Sequence, residues 1–234
     1  MNKRRKLSEF EHFNQLAREW WSEDGRFEIL HKLTPIRIKY ILDNIQTKNV
    51  KNLSVLDLGC GGGLICEPLS RLGMKVTGID FVENNIKVAQ LHAKKNNLQI
   101  NYLVQDIENL SLKTKYDIII LFEVLEHIDQ WNLVLNKIKS NLKKNGLLIL
   151  STINRNLISN IFAIKIAENF LKWIPKNTHN YNKLITPYEL DKILKKENFT
   201  IVDLCGLIFN PLTNEWKLNK YNKLINYFCV AKLN

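Results

Sequence analysis

Residues Val55 to Gly63 read Val-Leu-Asp-Leu-Gly-Cys-Gly-Gly-Gly, a short apolar run that breaks into glycines, followed by a helical pattern to about Leu72. A buried strand that runs straight into a glycine-rich bend and then a helix leaves few folds open. Glycine tolerates positive φ and lets a ligand approach the backbone closely. In open α/β sheets such a bend lies beyond the carboxyl ends of the strands, where ligands bind. A tight strand-to-helix turn with no ligand is the plain alternative, and the bend alone does not remove it.

The rest of the chain supplies the alternation that such a sheet needs. Lys75 to Ile79 reads as a second strand ending at Asp80, Glu83 to Asn96 as a helix, and Ile100 to Val104 as a third strand ending at Gln105-Asp106. Tyr116 to Phe122 is apolar on both faces, as a central parallel strand is. Gln130 to Lys143 reads as a helix closed by Asn145-Gly146, and Leu147 to Thr152 as a fifth strand. After an apolar-rich stretch, Asn156 to Trp173, come a helix over Pro187 to Glu197 and two late strands, Thr200 to Leu204 and Tyr227 to Leu233. The expectation is an α/β fold with a mostly parallel seven-stranded sheet and helices on both faces. At the N-terminus, Phe10, Phe13, Leu16, Ala17 and Trp20 recur at helical spacing over Ser8 to Trp21. A second helix is expected from Pro35 to about Gln46 with Thr34 as its N-cap. All 234 residues form one domain: an N-terminal helical lid over 1–50, a core over 53–153, and a helical insertion over 155–186 after the fifth strand.

The net charge of +11 has two readings, a codon bias toward Lys, Asn and Ile or attraction to a polyanion. The basic residues are scattered, with no Arg stripe and no aromatic RNA-binding motif, so nucleic acid is not expected as a partner. Cys60, Cys66, Cys205 and Cys229 have neither zinc nor disulfide spacing, which fits a reduced, cytoplasmic setting. The basic start MNKRRKLSEF lacks the apolar core of a secretory signal, and no apolar run approaches the ~20 residues of a membrane span.

The chemistry concentrates at four strand ends. Asp80, about twenty residues past the bend, stands where a carboxylate accepts the hydroxyl protons of a ribose. Asp57, heading the bend, complements an ammonium group rather than a pyrophosphate. That favours the zwitterionic, sulfonium-bearing S-adenosylmethionine (SAM) over a nicotinamide dinucleotide. Asp106 can reach an adenine amino group, and Phe122 can pack on the adenosine. Glu123, Glu126 and His127 follow directly.

These residues resemble the class I SAM-dependent methyltransferases, with their Rossmann-like domain, over about residues 53 to 153. Further blocks extend the resemblance to the ubiquinone-biosynthesis O-methyltransferases: Phe13, Trp20-Trp21, Leu30-His31, Thr34-Pro35-Ile36-Arg37, Glu123 to His127, Ser151 to Arg155, Lys172 to His179 and Gly206 to Thr213. The resemblance implies methyl transfer from SAM to a phenolic hydroxyl of polyprenylated phenol, catechol or demethylubiquinol intermediates. It maps cofactor contacts onto Arg37, Gly59, Asp80 and Phe122, beside Asp57, Gly61 and Asp106 from the reading above. It also maps the ligands of a divalent-metal site, with Mg²⁺ as the ion, onto Glu123, Glu126 and His127. The chain departs from the family pattern at Asn177-Thr178-His179-Asn180, where a carboxylate usually follows the histidine, and in the segment before Asn226.

A phenol has a pKa of about 10 and needs a base or a Lewis acid at neutral pH. Candidate bases are Glu123, His127 and His179. If the turn after Phe122 is α-helical, Glu123 shares a face with Glu126 and with His127. The insertion combines apolar positions with Lys165, Lys172, Trp173, Lys176 and Lys183, the pattern of a helix lying in an anionic bilayer surface. The expected location is therefore cytoplasmic and peripheral on the inner membrane. A polyprenylated substrate is the expected small-molecule partner, and other ubiquinone-biosynthesis proteins are further candidates. The alternative function is methyl transfer to another small molecule or to RNA.

Overall fold

The computed structural model describes residues 11, 14–159, 181–210, 212, 213 and 215–234. Most of the insertion, including His179, and the start of the first expected helix lie outside the described residues.

Eight strands form one sheet: β1 (Ser54–Leu58), β2 (Lys75–Asp80), β3 (Asn101–Val104), β4 (Tyr116–Phe122), β5 (Leu142–Ile153), β6 (Phe199–Asn210), β7 (Glu215–Asn219) and β8 (Asn226–Leu233). Their order is β3-β2-β1-β4-β5-β8-β6-β7. The first five run parallel, and β8 enters antiparallel between β5 and β6. Strand order reverses between β1 and β4, so the crevice beyond their carboxyl ends is the topological switch point at which such sheets bind ligands. The eighth strand corrects the expected seven. β7 is a five-residue partner of β6 at the sheet edge, with Leu207 opposite Leu218 and Phe209 opposite Trp216. Too short and polar to stand out along the chain, it is made by cross-strand pairing.

The helices α1 (Glu28–Asn44), α2 (Cys66–Arg71), α3 (Glu83–Lys95), α4 (Trp131–Asn141) and α5 (Pro187–Lys196) cover both faces. Alternation along the central strands sorts the core into two halves. Ile119 and Leu121 of β4, with Leu148 and Leu150 of β5, pack under α4 and α5 against Leu135, Ile138, Leu190 and Leu194. Ile118, Ile120 and Phe122, with Ile149 and Phe228, face α1, α2 and α3 through Tyr40, Ile41, Leu69, Ile86 and Ala89. A period of two on buried parallel strands dictates this division.

Two expected boundaries moved. Helix α1 starts at Glu28 and carries Pro35 inside it, and Thr34 donates its hydroxyl to the Leu30 carbonyl rather than capping. Burial of Phe27 and Leu33 sustains the first turns ahead of the proline, so packing outweighs local propensity there. Helix α4 ends at Asn141, and Asn145, at φ +62°, sits inside the early part of β5 rather than at a helix end. By contrast, α5 carries a side-chain cap at its start. Thr186 Oγ1 accepts from Glu189 N at 3.2 Å, and Glu189 reaches back to Thr186 N at 3.0 Å. Thr186→Ala removes half of this capping box and should lower the unfolding free energy by about 1 kcal/mol, read as a smaller urea midpoint at unchanged slope.

Candidate functional site

The site is built at the carboxyl ends of β1, β2, β3 and β4. At the end of β1 the chain turns through Gly59 at φ +78°, and the amides of Gly59 and Cys60 both donate to Ile79 O on β2, at 2.8 and 3.0 Å. A Cβ at Gly59 would lie 2.5 Å from Val124 Cγ2, and one at Gly61, φ +52°, would lie 2.4 Å from Trp20 Cη2. The bend is thus tight against the protein itself as well as permissive of positive φ.

Asp80 closes the bend from below. Its Oδ2 accepts the Gly61 N–H at 3.0 Å, and its Oδ1 accepts from Val82 N at 2.8 Å and Asn85 Nδ2 at 3.3 Å. Burial pushes its pKa up, and the three donors oppose that shift. Asp57 is buried beneath the bend and accepts the Cys66 thiol at 3.2 Å. Desolvation raises its pKa to about 6, against the lowering effects of Cys66 and the Arg37 charge. On the neighbouring strand, Gln105 N donates to Asp80 O at 3.0 Å, which sets Asp106 beside Asp80. Asp106 Oδ1 accepts from Glu108 N and caps the short turn Ile107–Asn109.

At the end of β4, Phe122 packs edge-on against Phe228, and the guanidinium of Arg37 lies 5.2 Å from the centre of its ring. Arg37 comes from α1, is 5% exposed, and has no hydrogen-bond partner at Nε. Burial lowers its pKa, and Glu123, Asp57 and Glu126 counter that. A buried guanidinium edge without an acceptor is costly.

Glu123 follows Phe122 at φ +55°, a left-handed conformation that bulky residues rarely adopt. It is held by its own N–H on Ser151 O at 3.1 Å, by the Ser151 hydroxyl on its Oε1 at 2.6 Å, and by Arg37 at 4.0 Å. Glu126 is buried on the next turn and accepts from Thr152 Oγ1 at 2.9 Å. Burial first, then the Glu123 charge, push its pKa well above the ordinary carboxyl range. Ser151 and Thr152, at the end of β5, were not singled out as site residues, because only the β4–β5 register sets them beside the two glutamates.

The turn Leu125–His127 is a 3₁₀ turn, not the start of an α-helix. The shared face expected for Glu123 and His127 is therefore lost, since a 3₁₀ turn aligns positions three apart and not four. Among the described residues no three His, Cys, Asp or Glu side chains converge to hold a metal ion. Glu123, Glu126 and His127 thus do not converge as the expected ligand set. The structure gathers Arg37, Asp57, Gly59, Gly61, Asp80, Asp106, Phe122, Glu123 and Glu126 at the carboxyl ends of β1 to β4.

Known proteins agree with this fold. The sequence profile of a methyltransferase domain matches residues 31–204. A ubiquinone biosynthesis O-methyltransferase of Pelagibacter ubique is 44% identical over 227 residues, covering 94% of both chains. The protein of the same name from Rickettsia typhi is 43% identical, covering 94% of this chain and 90% of its own length. Among solved structures, the magnesium protoporphyrin IX methyltransferase of Synechocystis with bound S-adenosylhomocysteine (SAH) superposes with a TM-score of 0.70. It is 22% identical and covers 98% of this chain and 100% of its own, a likeness of fold. With more than two-fifths of its residues shared across nearly its whole length, the chain belongs to the ubiquinone biosynthesis O-methyltransferase family of SAM-dependent methyltransferases.

Proposed function

We propose that this chain methylates a phenolic hydroxyl of a polyprenylated phenol, catechol or quinol in ubiquinone biosynthesis. The observation that carries the reading is the set of acceptors and donors around the β1–β2 bend. Asp80 offers a carboxylate to a ribose diol, buried Asp57 faces an ammonium, and the unpartnered Nε of Arg37 awaits a carboxylate. The donor set matches the three polar parts of SAM. When bound, SAM supplies an electrophilic methyl group on sulfur, and the protein's task is to align an acceptor oxygen and take its proton.

Glu123 is placed for the proton. Its left-handed backbone turns the carboxyl out of the strand end, while Ser151 and Arg37 fix its position and Glu126 supplies a hydrogen-bond donor behind it. His127 and His179 are the other candidate bases. No step here needs a metal. With purified protein, a prenylated catechol and SAM, methylated product should form. Glu123→Gln should lower kcat by about a hundredfold or more and leave the SAH dissociation constant within about twofold. An unchanged kcat moves the base to a histidine. Asp80→Ala should remove the calorimetric heat of SAH binding, and its persistence would overturn the placement of the cofactor.

Asp57 gives a pH signature. Between pH about 4 and 6 its buried carboxyl holds a proton that the unfolded chain has released. Its contribution to stability therefore falls as pH rises through this window, and the penalty is complete above it. Asp57→Asn keeps the acceptor for Cys66 and should stabilise the fold at pH 7 by on the order of 3 kcal/mol or less, with no gain at pH 4. The same substitution should weaken SAH binding at pH 7. In the wild-type protein, SAH affinity should decline as pH drops below about 6, where the carboxyl reprotonates.

We also propose peripheral contact with an anionic bilayer, where a polyprenylated substrate resides. Among the described residues no helix is long and apolar enough to cross a membrane. At the start of the insertion, Leu157 is 76% exposed, next to exposed Ile158. Beside them lie Tyr221 and Leu224, 95% and 48% exposed. Asn154 Nδ2 on Lys223 O at 2.7 Å and Asn156 Nδ2 on Leu224 O at 2.6 Å tie the two segments together. Apolar tips flanked by Lys220 and Lys223 suit an interface of this kind. The protein should co-sediment with phosphatidylglycerol-containing liposomes, and Leu157→Ser with Tyr221→Ser should reduce the bound fraction. Equal sedimentation with neutral and anionic liposomes, or none with either, defeats this part.

A further inference from the structure

Trp20 lies outside every strand end of the site, yet the structure joins it to Asp80. Its indole stacks on Phe27, with ring centres 3.9 Å apart at 10°. Its other face covers the glycine bend so closely that a Cβ at Gly61 or Gly62 would come within 2.4 or 2.5 Å of it. Its Nε1 donates to Asn85 Oδ1 at 2.8 Å, and Asn85 Nδ2 donates to Asp80 Oδ1 at 3.3 Å. Asn85 is 2% exposed, and both ends of its amide are spoken for.

We propose that Trp20 and Asn85 are positioning residues for the cofactor, acting as a relay that couples docking of the N-terminal segment to the ribose-binding carboxylate. The proposal rests on the reading of Asp80 given above. The indole N–H fixes which way the Asn85 amide faces. With its oxygen held by Trp20, Asn85 can present only its NH₂ edge to Asp80, so the carboxylate is steered by a donor and never meets a carbonyl. Asp80 in turn holds the Gly61 amide, and Gly61 lies under the same indole. Trp20, Asn85, Asp80 and Gly61 therefore close a ring of contacts around the bend. A cofactor that engages Asp80 fixes one member of that ring and tightens the N-terminal segment, and by linkage the docked segment tightens the cofactor.

Trp21 supplies a control within the same segment. Its indole donates to Gly62 O at 3.0 Å and stacks on His92 at 3.5 Å, with His92 held by buried Glu67 at 2.6 Å. It docks the segment without touching Asn85 or Asp80.

The test is a calorimetric cycle of SAH binding on the full chain. Trp20→Phe keeps an aromatic ring beside Phe27 and loses the N–H donor together with the benzo edge over Gly61. It should weaken SAH binding about three- to tenfold, the worth of one buried hydrogen bond. Asn85→Ala should weaken it at least as much. In the Asn85→Ala background, Trp20→Phe should cost clearly less than in the wild-type protein, because its hydrogen-bonded route to Asp80 is gone. Trp21→Phe should add its effect independently in either background. In kinetics, Trp20→Phe should raise KM for SAM and leave kcat and the KM for the phenol within about twofold. SAH should slow trypsin cleavage at Arg18 and Arg26 in the wild-type protein, and less so in Trp20→Phe. Additive losses for Trp20→Phe and Asn85→Ala, or unchanged SAH affinity with only a lower melting temperature, overturn the relay. Should wild-type protein fail to bind SAH, or Asp80→Ala bind it normally, the cofactor reading fails instead, and the two failures are told apart.

Discussion

The carboxylate of Asp80 on the Gly61 amide is the contact on which the site depends. Parallel pairing of β1 with β2 brings Leu58 level with Ile79, and the next residues of the two strands must then part. Ile79 O accepts two bend amides and Asp80 accepts the third. These bonds hold a glycine-rich segment, which has the most conformational freedom to lose, in one shape. A buried carboxyl with a raised pKa is an expensive way to hold a turn. Burial of Asp57, Asp80 and Glu126 at the carboxyl ends of the strands, with one buried guanidinium among them, sets stability against function. Such a cluster of perturbed groups is a hallmark of a working site.

The two halves of the site answer different needs. Around β1 and β2 the groups are acceptors fixed by backbone, suited to gripping a nucleoside in one orientation. Around β4 and β5 they are two neighbouring carboxyls, each held by a hydroxyl of Ser151 or Thr152. Arg37 spans the halves: its charge stabilises Glu123 and Asp57, and its guanidinium rests on Phe122. Because Arg37 comes from α1, the charge balance at the end of β4 depends on a helix that precedes β1.

Much of this was legible along the chain. The acid or aromatic residues at successive strand ends, Asp57, Asp80, Asp106 and Phe122, stand where the alternation of strands and helices put them. The three-ligand metal set that the resemblance implied does not converge among the described residues, and the shared face of Glu123 and His127 needed an α-helical turn after Phe122. Glu123 instead enters the left-handed region and a 3₁₀ turn follows. Strand β7 and the internal Pro35 of α1 were also misread. Each owes its form to contacts with distant residues, which local propensity does not carry.

Local patterning determined the α/β class, the glycine bend, the carboxylates beyond it and, through scattered blocks, the family. The first three follow from periodicity and from residue chemistry at fixed spacing, and the family from the resemblance of those blocks, all of them properties of the chain itself. Tertiary structure decided what the bend touches and which hydroxyls hold the two glutamates. The glycines at 61 and 62 make room for Trp20 from forty residues upstream, and Ser151 and Thr152 reach the glutamates only through strand register. Contacts between segments so far apart depend on how the sheet is ordered and which helix covers it, and the residues at either end do not encode that alone.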